Sequence, residues 1–265
     1  MRGRLKTAPQ TKKAKSARST GRVLYLYAIS EAPKTAASPI ASEGIDGSAL
    51  VEAIRCEGYL CWISRVSKDE FADHLNERMQ DLEWLASAGL RHQRVVGEIS
   101  RQLTVLPARF GTAFLTDDSL ARHVKARKAA LCEAFKRVAD ADEWGVKVFA
   151  VAKPRTSAMV AAVSGSDYLK KKAQMLHPPA NKKFDEQVRE FADALAKLAV
   201  ESTAGGKASA GQPGLLWHGS LLVRRKDQKK LQSALKKYTN KWEGIRRIEW
   251  SGPWPPYSFV EDHVR

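Results

Sequence analysis

Several familiar landmarks are missing from this 265-residue chain. No apolar run approaches the roughly 20 residues a bilayer-spanning helix needs. The longest near the N-terminus, Val23 to Ile29, is strand-length and closes at Glu31. A secretory leader fits poorly, because the basic stretch is long, the apolar run is short and no cleavage site follows. An organellar transit peptide tolerates such an acid-free, Ser/Arg-rich leader and stands as the alternative. Only three cysteines occur, Cys56, Cys61 and Cys132, an odd count without metal-type spacing. They read as free thiols in a reducing compartment. Cys56 and Cys61 straddle a strand start and are expected on opposite faces.

Catalytic signatures are equally scarce. There is no Gly-x-Gly-x-x-Gly, and neither "GYLCWIS" nor "AGGKAS" has the spacing of a phosphate-cradling loop. Ser220 in "HGSLL" lacks the second glycine of a nucleophile elbow. The six histidines, at 74, 92, 123, 177, 218 and 263, include no i, i+4 pair bracketing a carboxylate. His74 and His92 read as solvated helix-surface residues. Asp117–Asp118 and Asp140–Asp142 fall at helix ends, where capping accounts for them. The expectation is a protein that is not an enzyme and needs no cofactor or metal.

What is present is charge in two places. The chain carries +16 overall, with 43% hydrophobic and 28% charged residues, the balance of a globular protein. Residues 1–22 hold eight Lys/Arg and no acid; residues 224–247 hold ten against Asp227 and Glu243. These two stretches account for the whole excess and leave a neutral body. The first has no apolar periodicity and reads as a disordered tail over residues 1–21. The second reads as a basic amphipathic helix over Lys226–Lys241. Lys229, Lys230, Lys236 and Lys237 face out as candidate partner contacts, while Leu231, Leu235 and Tyr238 turn inward.

Between the patches the pattern alternates strand and helix. "RVLYLYAIS" (Arg22–Ser30) is apolar on both faces, the mark of a central strand covered on both sides. Asp46 and Ser48 offer N-caps for a short helix at Leu50–Arg55, and "GYLCWISRV" (Gly58–Val66) reads as a second strand. Ser67-Lys68-Asp69-Glu70 has the form of a capping box and predicts a helix to about Ser87, stopped by Gly89. A separate helix then carries Val95, Val96, Ile99 and Leu103. Asp117 and Asp118 open another, with Leu120, Val124, Leu131, Phe135 and Val138 inward. A strand begins at Glu143, and the domain boundary is set near Asp140, giving units 22–140 and 141–265.

In the second unit, "SGSDYLKKKAQML" predicts a helix that "HPP" interrupts. Phe184, Val188, Phe191, Leu195 and Leu198 follow helical spacing and read as core-facing. "STAGGKASAGQPG" reads as a loop, "LLWHGSLLV" (Leu215–Val223) and Ile245–Trp250 as strands, and the terminal "GPWPPYSFVEDHVR" as irregular.

"RVLYLYAI", "DLEWLASAGLRHQRVV", "TVLPARFGTAF", "EWGVKV", "DYLKKK" and "GPWPPYSFV" occur in that order from about Val23 to Val260. In this series the chain resembles the GvpL/GvpF gas vesicle proteins; "LPARFGT" and "GPWPPYSF" are the most specific segments. The resemblance implies an α+β fold of two α/β domains, the second a modified ferredoxin-like unit. It also implies a cytoplasmic assembly factor or minor component of a gas vesicle. Such a protein contacts the small ribbed shell protein and other accessory proteins, without catalysis and without a membrane. The runner-up is a nucleic-acid-binding protein using the tail and the 224–247 patch. Against it, Tyr25, Tyr27 and Trp62 lie in strands that read as buried, not on a stacking platform.

Two segments are candidate structural or interdomain elements. In "LPARFGTAF", Pro107 ends a helix, Arg109 needs a buried acceptor, and Phe110-Gly111 allows a close backbone approach, which together describe a joint. An anion site at Arg109 is the other reading. At the C-terminus, Trp254, Tyr257 and Phe259 are expected to fold back between the domains, with Tyr257 and Phe259 on one face of an extended segment. Deleting residues 1–21 is expected to leave the melting temperature unchanged; a large drop on truncation shows a packed tail instead.

Overall fold

The computed structural model describes residues 21–32, 40–151, 182–204 and 212–260. The basic stretch before Gly21, the expected helix at "SGSDYLKKKAQML" with its "HPP" break, and the side chain of Phe184 lie outside the described residues.

The first sheet is organised around strand β1 (Arg22–Glu31), whose eight residues from Val23 to Ser30 are all buried. The sheet runs β2 (Glu52–Cys56), β3 (Tyr59–Ser67), β1, then β4 (Val105–Pro107), with β5 (Ala113–Phe114) also pairing β1; every pairing is antiparallel. Val23, Tyr25 and Tyr27 point to one face and Leu24 and Leu26 to the other. A bulge between Leu26 and Ala28 puts Tyr27 and Ala28 on the same face, because the inserted residue breaks the two-residue alternation.

Each face of β1 receives its own helical layer. Helix α1 (Leu75–Arg78) is a single turn that follows a π-turn at Asp69–Asp73. Helix α2 (Leu82–Gln102) covers the tyrosine face with Ala88, Val95, Val96 and Ile99, joined by Phe71 of the π-turn. Helices α3 (Asp117–Ala126) and α4 (Lys128–Val138) cover the other with Leu120, Val124, Leu131, Phe135 and Val138. Thr116 caps α3, accepting from Ser119 N–H at 3.1 Å, and Asp117 and Asp118 occupy its first turn.

The second sheet has the element order β6 (Ala141–Ala150), α5 (Lys182–Ala196), β7 (Glu201–Ala204), β8 (Leu215–Arg224), α6 (Gln228–Lys241), β9 (Arg246–Trp254). Its strands lie in the order β7-β8-β6-β9, all antiparallel, which is the ferredoxin-like arrangement. Val188, Phe191 and Leu195 of α5 and Leu231 and Leu235 of α6 pack on Trp144, Val146, Val148 and Val223.

Several local expectations fail, each for a physical reason. Leu50–Arg55 is not helical. Asp46 spends its carboxylate on a turn, accepting from Ser48 and Ala49 N–H at 2.9 and 2.7 Å. The chain then enters a β2–β3 hairpin at Glu57-Gly58, both at positive φ (53° and 96°). Gly89 does not stop a helix. Asp81 caps α2 through Glu83 and Trp84 N–H, and the 21-residue helix runs through Gly89. A mid-helix glycine costs only about 1 kcal/mol against that packed stripe. The Ser67 capping box is unused, and residues 69–78 form two short turns instead. Cys56 and Cys61 share one core cluster, and burial pushes both thiols up in pKa. Ser202 to Ala204 belong to strand β7, because β8 offers a free edge there. β9 continues through Gly252-Pro253 to Trp254, because the register shifts there and leaves these two residues out of the pairing, where proline's missing donor costs nothing.

His92 is also misplaced by its polarity: it is 2% exposed, on the same α2 stripe as Ala88 and Val95. Its Nδ1 lies 2.9 Å from Tyr25 Oη, which accepts from Gly111 N–H at 3.1 Å. Burial lowers the imidazole pKa to about 4. The native state thus holds His92 neutral while the unfolded chain protonates near pH 6.5. Stability is therefore complete above that value and is lost as pH falls from 6.5 towards 4, by about 3 kcal/mol in total. Urea unfolding across this range is expected to show the loss in the parent protein and a smaller slope in His92→Gln; equal slopes contradict a buried neutral His92.

Candidate functional site

The stretch from Val105 to Phe114 is one strand broken in the middle. β4 pairs with Ala28–Ser30 of β1, Ala108 N–H donates to Tyr27 O at 2.8 Å, and β5 resumes against Leu24 and Tyr25. Residues 109–112 leave the ladder as a turn, closed by Thr112 N–H and Oγ1 donating to Arg109 O at 3.1 and 2.8 Å. Pro107 sits on the edge strand, buried. Gly111 supplies φ +85° and the N–H that reaches Tyr25. Phe110 turns inward, its ring 5.9 Å from His92, 6.1 Å from Trp84 and 6.3 Å from Tyr25. Arg109 is exposed rather than buried, because the turn carries it away from the sheet.

The C-terminal segment crosses from the second sheet to the first. Beyond β9, Tyr257–Phe259 form a single 3-10 turn. They therefore do not share an extended face: Tyr257 packs with the α2-side cluster, and Phe259 and Val260 enter the α3/α4-side cluster. Glu143, 7% exposed, ties the segment down by accepting from Ser258 N–H at 2.8 Å and Ser258 Oγ at 2.6 Å. Arg137 donates to Phe259 O. Tyr257 lies 6.4 Å from His92, ring to ring, and burial raises its phenol pKa. Trp254 differs: it stands 47% exposed at the end of β9.

That exposure opens onto a cleft of about 930 Å3 between α2 and the start of the second sheet. Leu90, Arg94, Gly97 and Arg101 of α2 form one wall; Arg225, Trp254 and Pro255 stand across it. Arg225 is held by Asp142 at 3.3 Å, and Asp142 also accepts from Gln228 Nε2 at 2.6 Å. A second exposed surface is the outer face of α6, where Lys229, Lys230, Lys236 and Lys237 all reach solvent; Lys230 pairs with Asp227 at 2.7 Å. Leu231 and Leu235 are buried and Tyr238 is half-buried on the inner face.

The structure thus gathers Phe110, Gly111 and Tyr257 around His92 and Tyr25, and puts Trp254 at the cleft, with the lysines apart. Sequence reasoning misread His92 as solvated and passed over Glu143, Leu90, Arg94, Arg101 and Arg225 as site residues. His92 was findable from its place on the apolar stripe and Glu143 from its place inside a strand; the cleft residues carry no local signal. Among the described residues no group of three His, Cys, Asp or Glu is placed to hold a metal ion, and no helix is long and apolar enough to cross a membrane.

Residues 23–261 match the family model described as gas vesicle synthesis protein GvpL/GvpF. The chain belongs to the GvpL/GvpF family. It is 28% identical over 258 residues to gas vesicle protein L of Streptomyces sp. (strain CB03234), covering 91% of this chain and 94% of that one. Two crystal structures share the fold. GvpF from Anabaena sp. PCC7120 superposes with a TM-score of 0.65 at 20% identity, over 91% of this chain and 97% of that one. GvpF from Microcystis aeruginosa gives 0.66 at 18%, over 90% and 99%. Both confirm an α+β architecture.

Burial separates the aromatic residues of the last segment. Phe259→Ala is expected to cost about 3 kcal/mol or more, as truncation of a buried phenylalanine does. Trp254→Ala is expected to stay within about 1 kcal/mol, since its ring is half in solvent already. Parallel denaturant melts check both; equal losses contradict the split between core anchor and exposed ring.

Proposed function

We propose that the protein is a non-enzymatic gas vesicle assembly factor or minor component, working in the cytoplasm through contacts with the shell protein and with other accessory proteins. The observation that carries this reading is the family match along residues 23–261. Physical chemistry gives the reading a form. An amphipathic shell protein must be held before it polymerises, and a rigid two-sheet scaffold presents fixed charge to it. Steering by complementary charge speeds such encounters and selects among partners. We assign residues 22–140 and 141–265 to two domains, with Pro107–Gly111 as a structural joint and Tyr257 and Phe259 as the clasp between them.

Under this reading Lys229, Lys230, Lys236 and Lys237 are partner contacts. Their placement supports it: they share the outer face of a helix anchored by Leu231 and Leu235, so the charges are displayed on a stable base. The alternative, nucleic-acid binding through the basic tail and the 224–247 patch, is favoured by their charge. Tyr25, Tyr27 and Trp62, at 0%, 0% and 3% exposure, leave no stacking platform on the first sheet.

A pull-down against the shell protein, with and without nuclease, separates the two. Retention of the shell protein that survives nuclease is expected, together with weakening in Lys229→Glu/Lys236→Glu. Each exposed pair is worth only about 0.2–1 kcal/mol, so the double reversal is expected to weaken binding a few-fold. Tight, salt-dependent binding to random DNA that disappears in the same variant favours the alternative.

A further inference from the structure

The cleft between α2 and the second sheet has a composition the lysine face does not explain. Leu90, Arg94, Gly97 and Arg101 recur at helical spacing, so they line one stripe of α2 directed into it. Arg94 and Arg101 are both exposed, and neither forms an ion pair among the described residues. The nearest acid along the helix, Glu98, feels the charge of Arg101 but spends its hydrogen bonds on the 40–42 segment, accepting from Ala41 N–H at 2.9 Å and from Ser42 Oγ. Those bonds also hold its carboxyl pKa below the usual range.

The acids inside the cleft are already committed. Asp142 is shared between Arg225 and Gln228, and Glu143 is taken by Ser258. Two guanidinium groups are therefore left to face the opening. They lie seven residues apart on α2, about 10 Å along its axis.

Beside these charges, one turn before Arg94 and across the cleft, the walls are apolar. Leu90 is 64% exposed and Trp254 47%, large areas for side chains at the mouth of one cavity. Gly97 leaves the floor bare: a β-carbon there would touch nothing within 4 Å. No protein contact demands a glycine at that point, and it weakens the helix by roughly 1 kcal/mol relative to alanine. A bare floor, apolar walls and a pair of spaced cations complement a peptide with carboxylates about 10 Å apart and an apolar anchor beyond the carboxylate that meets Arg94.

We propose that this cleft is a docking site for an acidic amphipathic segment of a protein partner. Its Glu or Asp side chains engage Arg94 and Arg101, and an aliphatic or aromatic residue seats between Leu90 and Trp254. The inference rests on the protein–protein reading above, and it names a second surface, distinct from the lysine face of α6. Arginine suits the task because its planar fork meets a carboxylate through two parallel hydrogen bonds.

The test is a titration of the full-length protein, by fluorescence anisotropy, with three labelled probes of equal length. These are an acidic amphipathic peptide with two glutamates seven positions apart and a leucine one helical turn beyond one of them, the same peptide with lysine for glutamate, and single-stranded DNA. The acidic peptide is expected to bind at least tenfold tighter than the lysine peptide. Arg94→Glu/Arg101→Glu is expected to lose on the order of tenfold in that affinity with an unchanged melting temperature. Lys229→Glu/Lys236→Glu is expected to leave it unaltered. A Leu90→Gln/Trp254→Gln variant serves as the second probe of the site and is also expected to weaken the peptide. Acidic-peptide binding indifferent to both cleft variants, or DNA binding as tight and lost in the arginine variant, overturns the proposal. Shell protein retained in the pull-down without peptide binding sinks the cleft alone. Peptide binding without retention sinks the shell-protein reading alone.

Discussion

Everything in the first sheet depends on β1 having no exposed face. Eight consecutive buried residues, alternating in direction, require apolar cover on both sides, and one helix cannot provide it. The chain therefore sends α2 to the tyrosine side and α3 with α4 to the leucine side. It reaches the second position only by running antiparallel to β1 through residues 105–114. The break in that strand lies opposite the bulge in β1, so both backbones depart from regularity together and keep their remaining pairings. Tyr25 joins the two irregularities, holding His92 on one side and accepting from Gly111 on the other.

The same logic links the two sheets. Phe259 and Val260 belong by sequence to the end of the second unit, yet their side chains complete the leucine-side core of the first. Leu222 of β8 and Ala141 of β6 lie in that cluster as well. A buried acid, Glu143, fixes the crossing by satisfying both the backbone and the hydroxyl of Ser258. Charged groups are tolerated in such places when their lone pairs are filled, and here they are. The seam is thus packed with apolar groups at its centre and polar at its rim, while the cleft beside it stays open and cationic.

Function, on this view, is a matter of surfaces displayed by a stiff frame. α6 presents lysines because its apolar stripe is consumed by β6 and β8; α2 presents arginines on one stripe because its other stripe is consumed by β1. Neither surface brings together groups for bond chemistry. On the proposed reading, both serve charge-guided contact with other proteins.

The strands β1, β3, β6 and β8, the inward stripe of α5 and the two faces of α6 were all legible in the linear pattern. Each is long and strongly periodic, and periodicity reports burial directly. The family motifs were legible for the same reason: they are contiguous. What failed was local and competitive. Gly89, Asp46 and the Ser67 box each carry a signal valid in isolation, and each was overruled by a neighbour: the packed length of α2, a turn, and a hairpin partner for β2. The direction of single side chains also escaped. His92 looks polar but lies on a buried stripe; Arg109 looks buried but is lifted out by its turn; Tyr257 and Phe259 look coupled but diverge to two cores. The sequence by itself determined which segments must be covered, because apolar spacing is written along the chain. Only the tertiary structure decided what covers them and what is left over, because a cleft such as that of Arg94, Arg101 and Trp254 exists only where residues distant in the chain meet.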